Sequence, residues 1–472
     1  MAAGIEWMVS GPSSALDDAL ALAAAQQRPL FLYWGARWCP PCNRVKADIF
    51  GSDEVARRLA PLLAYQLDGD SAGAQAVAAR LRLRSYPTLV LFAPDGSEIT
   101  RLPCELDAEG FAAALDVALA VWRAGSSAAA ALNATLSGAR ALSADEWTLL
   151  SRYSWDTDEG VLLSGRKEAE VLRTLSAKAD AAKLTAGAAA PASASAPAAA
   201  ASSQRAVADA AARLALFAQL AGAPADTGAL LELFADARQA RANMDILVNS
   251  AVNLIKTASR REELIAALSV QAAAWADDFW LSAIDRLLAL RLQMRLARLV
   301  SPAEALQAQV SARVAEALAE STNEYERHSL VNTAVSLLND AGLPQAAEQV
   351  LLDELPRSHS PYYFMLSLAS AAKRRGDTAG VLHWYDQAAT EAVGPATRMQ
   401  WSTTYLVTAI ELAPQDSARI EQAAERLLHD VAAASDYKYQ RNLSQLERLA
   451  PKLGSLSTLG QHTLALLNTL SA

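Results

Sequence analysis

Two cysteines that enclose two prolines, Cys39 and Cys42, constrain the fold of this chain more than any other feature of its sequence. The short apolar run at 29–34 precedes them and predicts a buried strand, and the segment that follows, to about residue 58, predicts a helix. Two intervening residues fit one helical turn, so both sulfur atoms can close a small disulfide ring. The pair therefore belongs at a strand-to-helix junction.

Three interpretations of the cysteine pair compete. A zinc site normally needs four ligands, whereas all five histidines lie at position 328 or beyond and the third cysteine is Cys104. A pair of inert core thiols is the second interpretation. At a helix N-terminus, however, unpaired N–H groups and the helix dipole favour a thiolate on Cys39. The pattern thus favours a catalytic redox pair, in which Cys39 attacks a disulfide and Cys42 resolves the mixed disulfide, with no metal and no cofactor.

The first 122 residues predict helices and strands in the order α-β-α-β-α-β-β-α. Asp95-Gly96 is a strong hairpin signal between the last two strands, and Asp107 is the predicted cap of the final helix. This order, with a cysteine pair after the first central strand, is what a thioredoxin fold requires.

The motif WCPPC and the downstream stretch SYPTLVLF resemble those of the thioredoxin family. They are closer to the reductase domains of disulfide-interchange transporters than to thioredoxin itself. The resemblance implies an α/β thioredoxin-like domain over residues 1–122 with three substrate-binding residues. Pro87 is expected to form a cis peptide bond beside the cysteines, which leaves the backbone of Tyr86 free to pair with an extended peptide. Trp38 matches the family's substrate-facing tryptophan.

Two positions depart from the family pattern. Thioredoxins carry a buried aspartate six residues before the first cysteine, where it assists deprotonation of the second, and this chain has Tyr33 there. Tyrosine does not act as a carboxylate base near neutral pH. Cys104 stands where a glycine normally lines the substrate groove, which implies a position close to Pro87. It is either a third redox thiol or a small apolar residue of the groove.

Beyond residue 122 the predicted strands disappear. Aromatic residues are sparse and the Gly and Pro content is low, which favours helices. We expect a helical connector over 123–183, a flexible Ala/Ser/Pro-rich linker over 184–204 and an all-α, repeat-like domain over 205–472.

Two turn glycines, Gly342 and Gly376, are 34 residues apart, which is the tetratricopeptide period. Leu368, Tyr385 and Ala388 match the large, aromatic and small residues of that repeat, while Val381 replaces a consensus alanine. These two units therefore resemble tetratricopeptide repeats, and the segment indicates an array of helical hairpins. An ordinary helical bundle is the alternative.

Charge and composition bear on partners and location. A net charge of −9 argues against nucleic acid as a partner. The first basic residue is Arg28 and no uncharged run is apolar enough for a bilayer, so we expect neither a secretory signal nor a membrane partner. With three cysteines there is no disulfide framework, which favours the cytoplasm.

Together these features predict a thiol–disulfide oxidoreductase that acts on a disulfide of a protein partner selected by the helical domain. An external electron donor would recharge the cysteine pair. The alternative is a protein-interaction scaffold whose thioredoxin-like module senses redox state or turns over slowly.

Overall fold

The computed structural model describes residues 4–9, 15–186, 196–300 and 304–453. Its N-terminal part is a five-stranded sheet with helices on both faces. The elements are β1 (Trp7–Val9), α1 (Ala15–Gln26), β2 (Leu30–Gly35), α2 (Pro40–Arg44), α3 (Asp53–Leu59), β3 (Leu63–Asp68), α4 (Ala74–Leu81), β4 (Thr88–Phe92), β5 (Glu98–Leu102) and α5 (Ala108–Arg123). The predicted order is present, with β1 as an additional edge strand.

The sheet has the strand order β1-β3-β2-β4-β5. The first three strands in this order are parallel, while β4 is antiparallel to both β2 and β5. Every residue of β2 is buried because helices cover both faces of the sheet. Tyr33 packs in the core that contains α2 and α5, whereas Trp34 packs in the core that contains α1 and α4. The central strand therefore ends directly beneath the cysteine motif.

The helix after the cysteines is not the single helix that the sequence predicts. It continues from α2 as a π-helical turn, Val45–Ile49, closed by a 2.9 Å bond from the Phe50 N–H to the Val45 carbonyl. The backbone is extended at Ser52 before α3 begins. This break lets the Phe50 ring pack 5.2 Å from the ring of Tyr33.

The rest of the described chain is helical, without strands. Its helices are α6 (Ala128–Ser137), α7 (Ala144–Ser151), α8 (Glu168–Ala186), α9 (Ala196–Leu220), α10 (Thr227–Ala235), α11 (Ala237–Ala242), α12 (Met244–Thr257), α13 (Arg261–Ala276), α14 (Ala283–Ala297), α15 (Gln307–Glu320), α16 (Glu324–Asp340), α17 (Pro344–Glu354), α18 (Pro361–Arg374), α19 (Thr378–Glu391), α20 (Pro395–Leu412), α21 (Ser417–Ala433) and α22 (Gln440–Leu453). The predicted large all-α region is confirmed. We call α10–α22 the helical region.

Helical hairpins follow one another through the second half of this region. Gly342 and Gly376 each form the turn of a hairpin, with φ of 79° and 72°, a conformation that glycine adopts without strain. The pairs α16/α17, α18/α19 and α20/α21 each pack together. Leu368 and Ala388 are fully buried, as their proposed repeat positions require. The tetratricopeptide character itself stays a prediction.

The predicted linker lies between two helices that pack against each other, α8 and α9. Residues 187–195 fall outside the described residues, and both ends of the 184–204 segment belong to helices. None of the described helices has the length and apolarity that crossing a bilayer requires.

One hydrophobic core joins the N-terminal sheet to the helical region. It contains Cys39, Cys42 and Trp38 together with Met399 and Trp401 of α20. The cysteine motif therefore lies inside a continuous core rather than on an open face.

Candidate thiol site

Cys39 and Cys42 lie at the start of α2, and both are free thiols. Cys39 is the N-cap residue, and its sulfur accepts the backbone N–H of Cys42 at 3.3 Å. Pro40 and Pro41 occupy the first helical positions, where the absence of an N–H removes no helical hydrogen bond. Each cysteine is almost completely buried, with 3% of Cys39 and none of Cys42 exposed.

The residues expected around the pair are brought together. The Tyr86–Pro87 peptide bond is cis. The Cys39 thiol lies 3.6 Å from the Tyr86 carbonyl oxygen, in position to donate to it. The Cys104 thiol lies 3.7 Å from the Pro87 carbonyl oxygen and is 6% exposed. Cys104 thus adjoins the proline, as the resemblance to thioredoxins implied.

Tyr33 occupies the family's aspartate position as a buried phenol. A Cβ atom at Gly35 would collide with the Tyr33 hydroxyl, so glycine two residues along the same strand gives the phenol its space. The hydroxyl forms no hydrogen bond with a nitrogen or oxygen atom of the described chain. Burial, reinforced by the nearby Cys42, raises the pKa of Tyr33 well above its ordinary value. Tyr33 is therefore a neutral group and no substitute for a carboxylate base.

Burial also dominates the ionisation of Cys39 and Cys104. It raises the pKa of Cys39 well above the usual value, and the adjacent Cys42 side chain adds to this. The Cys42 backbone N–H and the charge of Arg441 act in the opposite direction. The pKa of Cys104 is likewise raised by burial and then by Glu105. The closed arrangement therefore disfavours the thiolate form of Cys39 and of Cys104.

Three carbonyl groups of the cysteine loop are hydrogen-bonded by the helical region. His359 lies 3.2 Å from the Arg37 carbonyl oxygen, and His328 Nε2 lies 2.9 Å from that of Trp38. The Ser329 hydroxyl donates to the Pro40 carbonyl oxygen. Since a carbonyl oxygen can only accept, His328 carries its proton on Nε2.

The Trp38 side chain is enclosed by the same region. Its indole N–H donates to the Thr397 hydroxyl at 2.8 Å, and its ring stacks on that of Tyr363 at 5.8 Å. The Thr397 hydroxyl in turn donates to the Asp70 carboxylate at 2.7 Å. Trp401 packs 5.0 Å from the indole. We call the residues His328, Ser329, His359, Tyr363, Thr397 and Trp401 the helical cover.

The sequence did not reveal the helical cover. Its members lie about 290 to 360 residues after the loop that they contact. Histidine, serine and threonine in amphipathic helices carry no signal of which surface they bind.

Comparison with known proteins matches the N-terminal domain. Residues 16–119 match the family model described as a thioredoxin-like domain. Thiol:disulfide interchange protein DsbD 1 of Pseudomonas aeruginosa is 31% identical over 111 residues, which is 23% of this chain and 19% of the relative. The DsbD protein of Cronobacter sakazakii is 35% identical over 96 residues, 20% of this chain and 17% of the relative.

A solved structure is also similar to the chain. The solution structure of a thioredoxin from Thermus thermophilus is 26% identical, covers 24% of this chain and 86% of its own, and has a TM-score of 0.21. Of the two DsbD relatives, this chain spans less than a fifth of the length.

Proposed function

We propose that the thioredoxin-like domain of this chain is a thiol–disulfide oxidoreductase that reduces or exchanges a disulfide of a protein partner. One observation carries the proposal. A cysteine pair at a helix start lies against a cis proline, with the Cys39 sulfur 3.6 Å from the carbonyl oxygen of Tyr86, the residue before that proline. The similarity to thiol:disulfide interchange proteins supports the same chemistry.

The reaction has two exchange steps. The Cys39 thiolate attacks one sulfur of the partner's disulfide, and the other partner sulfur leaves as a thiolate. Cys42 then loses its proton and attacks Cys39, so that the partner's second sulfur leaves and the Cys39–Cys42 disulfide forms. The partner gains two electrons and two protons. An external dithiol donor returns the pair to the reduced form. We propose the cytoplasm as the location of this reaction.

The helical region would select the partner and control its access. Trp38 and Tyr86 are the proposed substrate-binding residues, and the indole of Trp38 is covered by Thr397, Tyr363 and Trp401. A partner that reaches Cys39 must first displace this cover. The helical region therefore favours partners that bind it as well as the thiols.

The test compares the reduction of insulin disulfides by the wild-type chain and by Cys39→Ser. We expect turnover that depends on Cys39. Trapping with Cys42→Ser, which leaves the mixed disulfide unresolved, should join Cys39 to a limited set of proteins. Absence of both turnover and trapped complexes would refute the oxidoreductase.

Cys104 would be a third redox thiol if its sulfur exchanged with the Cys39–Cys42 disulfide. Its sulfur contacts the Pro87 carbonyl oxygen, and it forms no disulfide with Cys39 or Cys42. Cys104→Ser should change the redox titration if Cys104 takes part. An unchanged titration and unchanged peroxide sensitivity would leave it as an apolar residue of the groove.

A second candidate function is an interaction scaffold with a redox-sensing module. The burial of both thiols beneath the helical cover favours it, because a sensor needs rare opening rather than rapid turnover. In that case oxidation would change the binding of a partner, and Cys39→Ser would abolish this change while insulin reduction stayed at background.

A further inference from the structure

A cation from the last described helix reaches the thiol site. Arg441 lies in the first turn of α22. Its guanidinium carbon is 4.9 Å from the ring centroid of Tyr86 and 5.7 Å from that of Trp38. These two aromatic residues directly precede Pro87 and Cys39 in the sequence. Arg441 therefore lies over the two aromatic rings, which also contact each other with centroids 5.9 Å apart.

Arg441 has no counter-ion among the described residues. No carboxylate lies within ion-pair distance of it, and its Nε atom is buried without a hydrogen-bond partner. The nearby interface carboxylates are otherwise engaged, since Asp70 accepts from Thr397, and Asp436 accepts from Gln75 and Asn442. A buried guanidinium donor without an acceptor is costly unless an anion forms beside it.

The anion that this chain can form there is the Cys39 thiolate. The charge of Arg441 lowers the pKa of Cys39 against the effect of burial. The other ionisable side chains that act on this thiol are Cys42, Tyr33 and Tyr363, none of which is a cation. The helix start and Arg441 thus act on the same sulfur from opposite sides of the interface.

We propose that Arg441 is a residue of the thiol site, through which the helical region supplies the positive charge that stabilises the Cys39 thiolate. This role rests on the proposed function of Cys39 as the attacking thiol. In the first exchange step the thiolate becomes neutral as its bond to the partner's sulfur forms, and the negative charge passes to the departing sulfur. Arg441 holds the thiolate before this step and can receive the departing thiolate after it. The helical region then completes the site that it also covers.

The test measures the ionisation of Cys39 directly. In the full chain carrying Cys42→Ser and Cys104→Ser, Cys39 is the sole remaining cysteine, and its thiolate absorbs in the ultraviolet. We expect Arg441→Gln to raise the titration midpoint by about one pH unit, in line with the effect of a nearby opposite charge. Arg441→Lys, which keeps the charge, should raise the titration midpoint less than Arg441→Gln does. Arg448→Gln is the matched control, because Arg448 is an exposed residue of the same helix.

A midpoint that is unchanged or lowered in Arg441→Gln would overturn the proposal. A fall would show that loosening the interface outweighs loss of the charge. The reduction potential of the Cys39–Cys42 pair, measured against glutathione in the otherwise wild-type chain, gives a second readout. It should become more negative in Arg441→Gln and stay unchanged in Arg448→Gln. If the midpoint shifts but neither insulin reduction nor trapped complexes are found, the oxidoreductase fails while the effect of Arg441 on the Cys39 thiolate stands; turnover without a shift gives the reverse.

Discussion

At the scale of the residue, Tyr33 distinguishes this site from that of thioredoxins. A general base contributes about 10²–10⁴-fold to a rate, and a phenol whose pKa is raised by burial cannot act as one near neutral pH. If Cys42 is the resolving thiol, as we propose, it loses its proton by another route, such as transfer to solvent admitted when the helical cover opens.

Tyr33→Phe should thus leave the rate of disulfide exchange within about threefold of wild type. This effect is far smaller than the one expected from losing a general base. The buried hydroxyl lacks a nitrogen or oxygen partner among the described residues, so its removal should change the free energy of unfolding by less than about 1 kcal/mol. Tyr65→Phe is the control, since Tyr65 is a buried tyrosine on the opposite face of the sheet. A hundredfold slower exchange in single-turnover measurements would show that the phenol takes part.

His328 makes the interface sensitive to pH. Burial, followed by the charge of His359, lowers its pKa to about 4, so it is neutral where it meets the Trp38 carbonyl. Unfolding restores a pKa near 6.5. A base with a depressed pKa stabilises the fold above the unfolded value and loses this contribution as the pH falls from about 6.5 toward 4.

Denaturant unfolding at pH 7 and pH 5 should therefore show that wild type loses up to about 2 kcal/mol more stability than His328→Gln, which keeps a donor but cannot ionise. Burial raises the pKa of Asp70 and of Asp48 to about 6, which opposes this loss equally in both chains. His429→Gln, at an exposed position, is the control. Parallel pH profiles for wild type and His328→Gln would contradict the assignment.

Among the helices, strands and turns, the features that the local sequence determines were predicted, whereas those that depend on tertiary packing were not. The Asp95-Gly96 hairpin and the Asp107 cap are present, with the Asp107 carboxylate accepting the Gly110 N–H at 2.8 Å. Strand β1 escaped prediction because three residues show no period. The π-helical turn at Val45–Ile49 escaped prediction because it accompanies the packing of Phe50 against Trp7 and Tyr33, which no local propensity encodes.

Helix α2 is joined to α14 by an ion pair that the sequence could not show. Arg44 Nη2 lies 2.6 Å from Asp285 Oδ1, and both side chains are mostly buried. Asp285→Asn should lower the free energy of unfolding by about 3 kcal/mol, because it leaves a buried guanidinium with Asp48 as its one remaining ion-pair partner among the described residues. Glu263→Gln breaks the exposed Arg260 pair and should cost less than about 1 kcal/mol. Equal effects of the two substitutions in urea unfolding would show that burial does not strengthen the pair.

For the molecule as a whole, the sequence predicted the two types of domain but not that they pack together around the cysteine motif. Amphipathic periodicity tells that a helix has an apolar face, but not which surface will cover it. The thioredoxin-like motif could be identified from the sequence because its residues lie within about 70 positions of one another. The helical cover and Arg441 were not, because complementarity between distant segments arises only when the chain is folded.

The helical cover predicts that access, rather than thiol chemistry, limits the reaction of Cys39. Thr397→Val keeps the shape of the side chain but removes the hydroxyl that joins the Trp38 indole to Asp70. Two partly buried polar groups then lose a partner, at a cost of about 1.4 kcal/mol, which corresponds to about a tenfold larger open population. In the chain with Cys39 as its sole cysteine, alkylation at constant pH should accelerate by about tenfold. Thr408→Val is the matched control, since Thr408 lies on the same helix and bonds only to the Thr404 carbonyl among described residues. Equal alkylation rates in the two variants would mean that Cys39 is reached without displacing the helical cover.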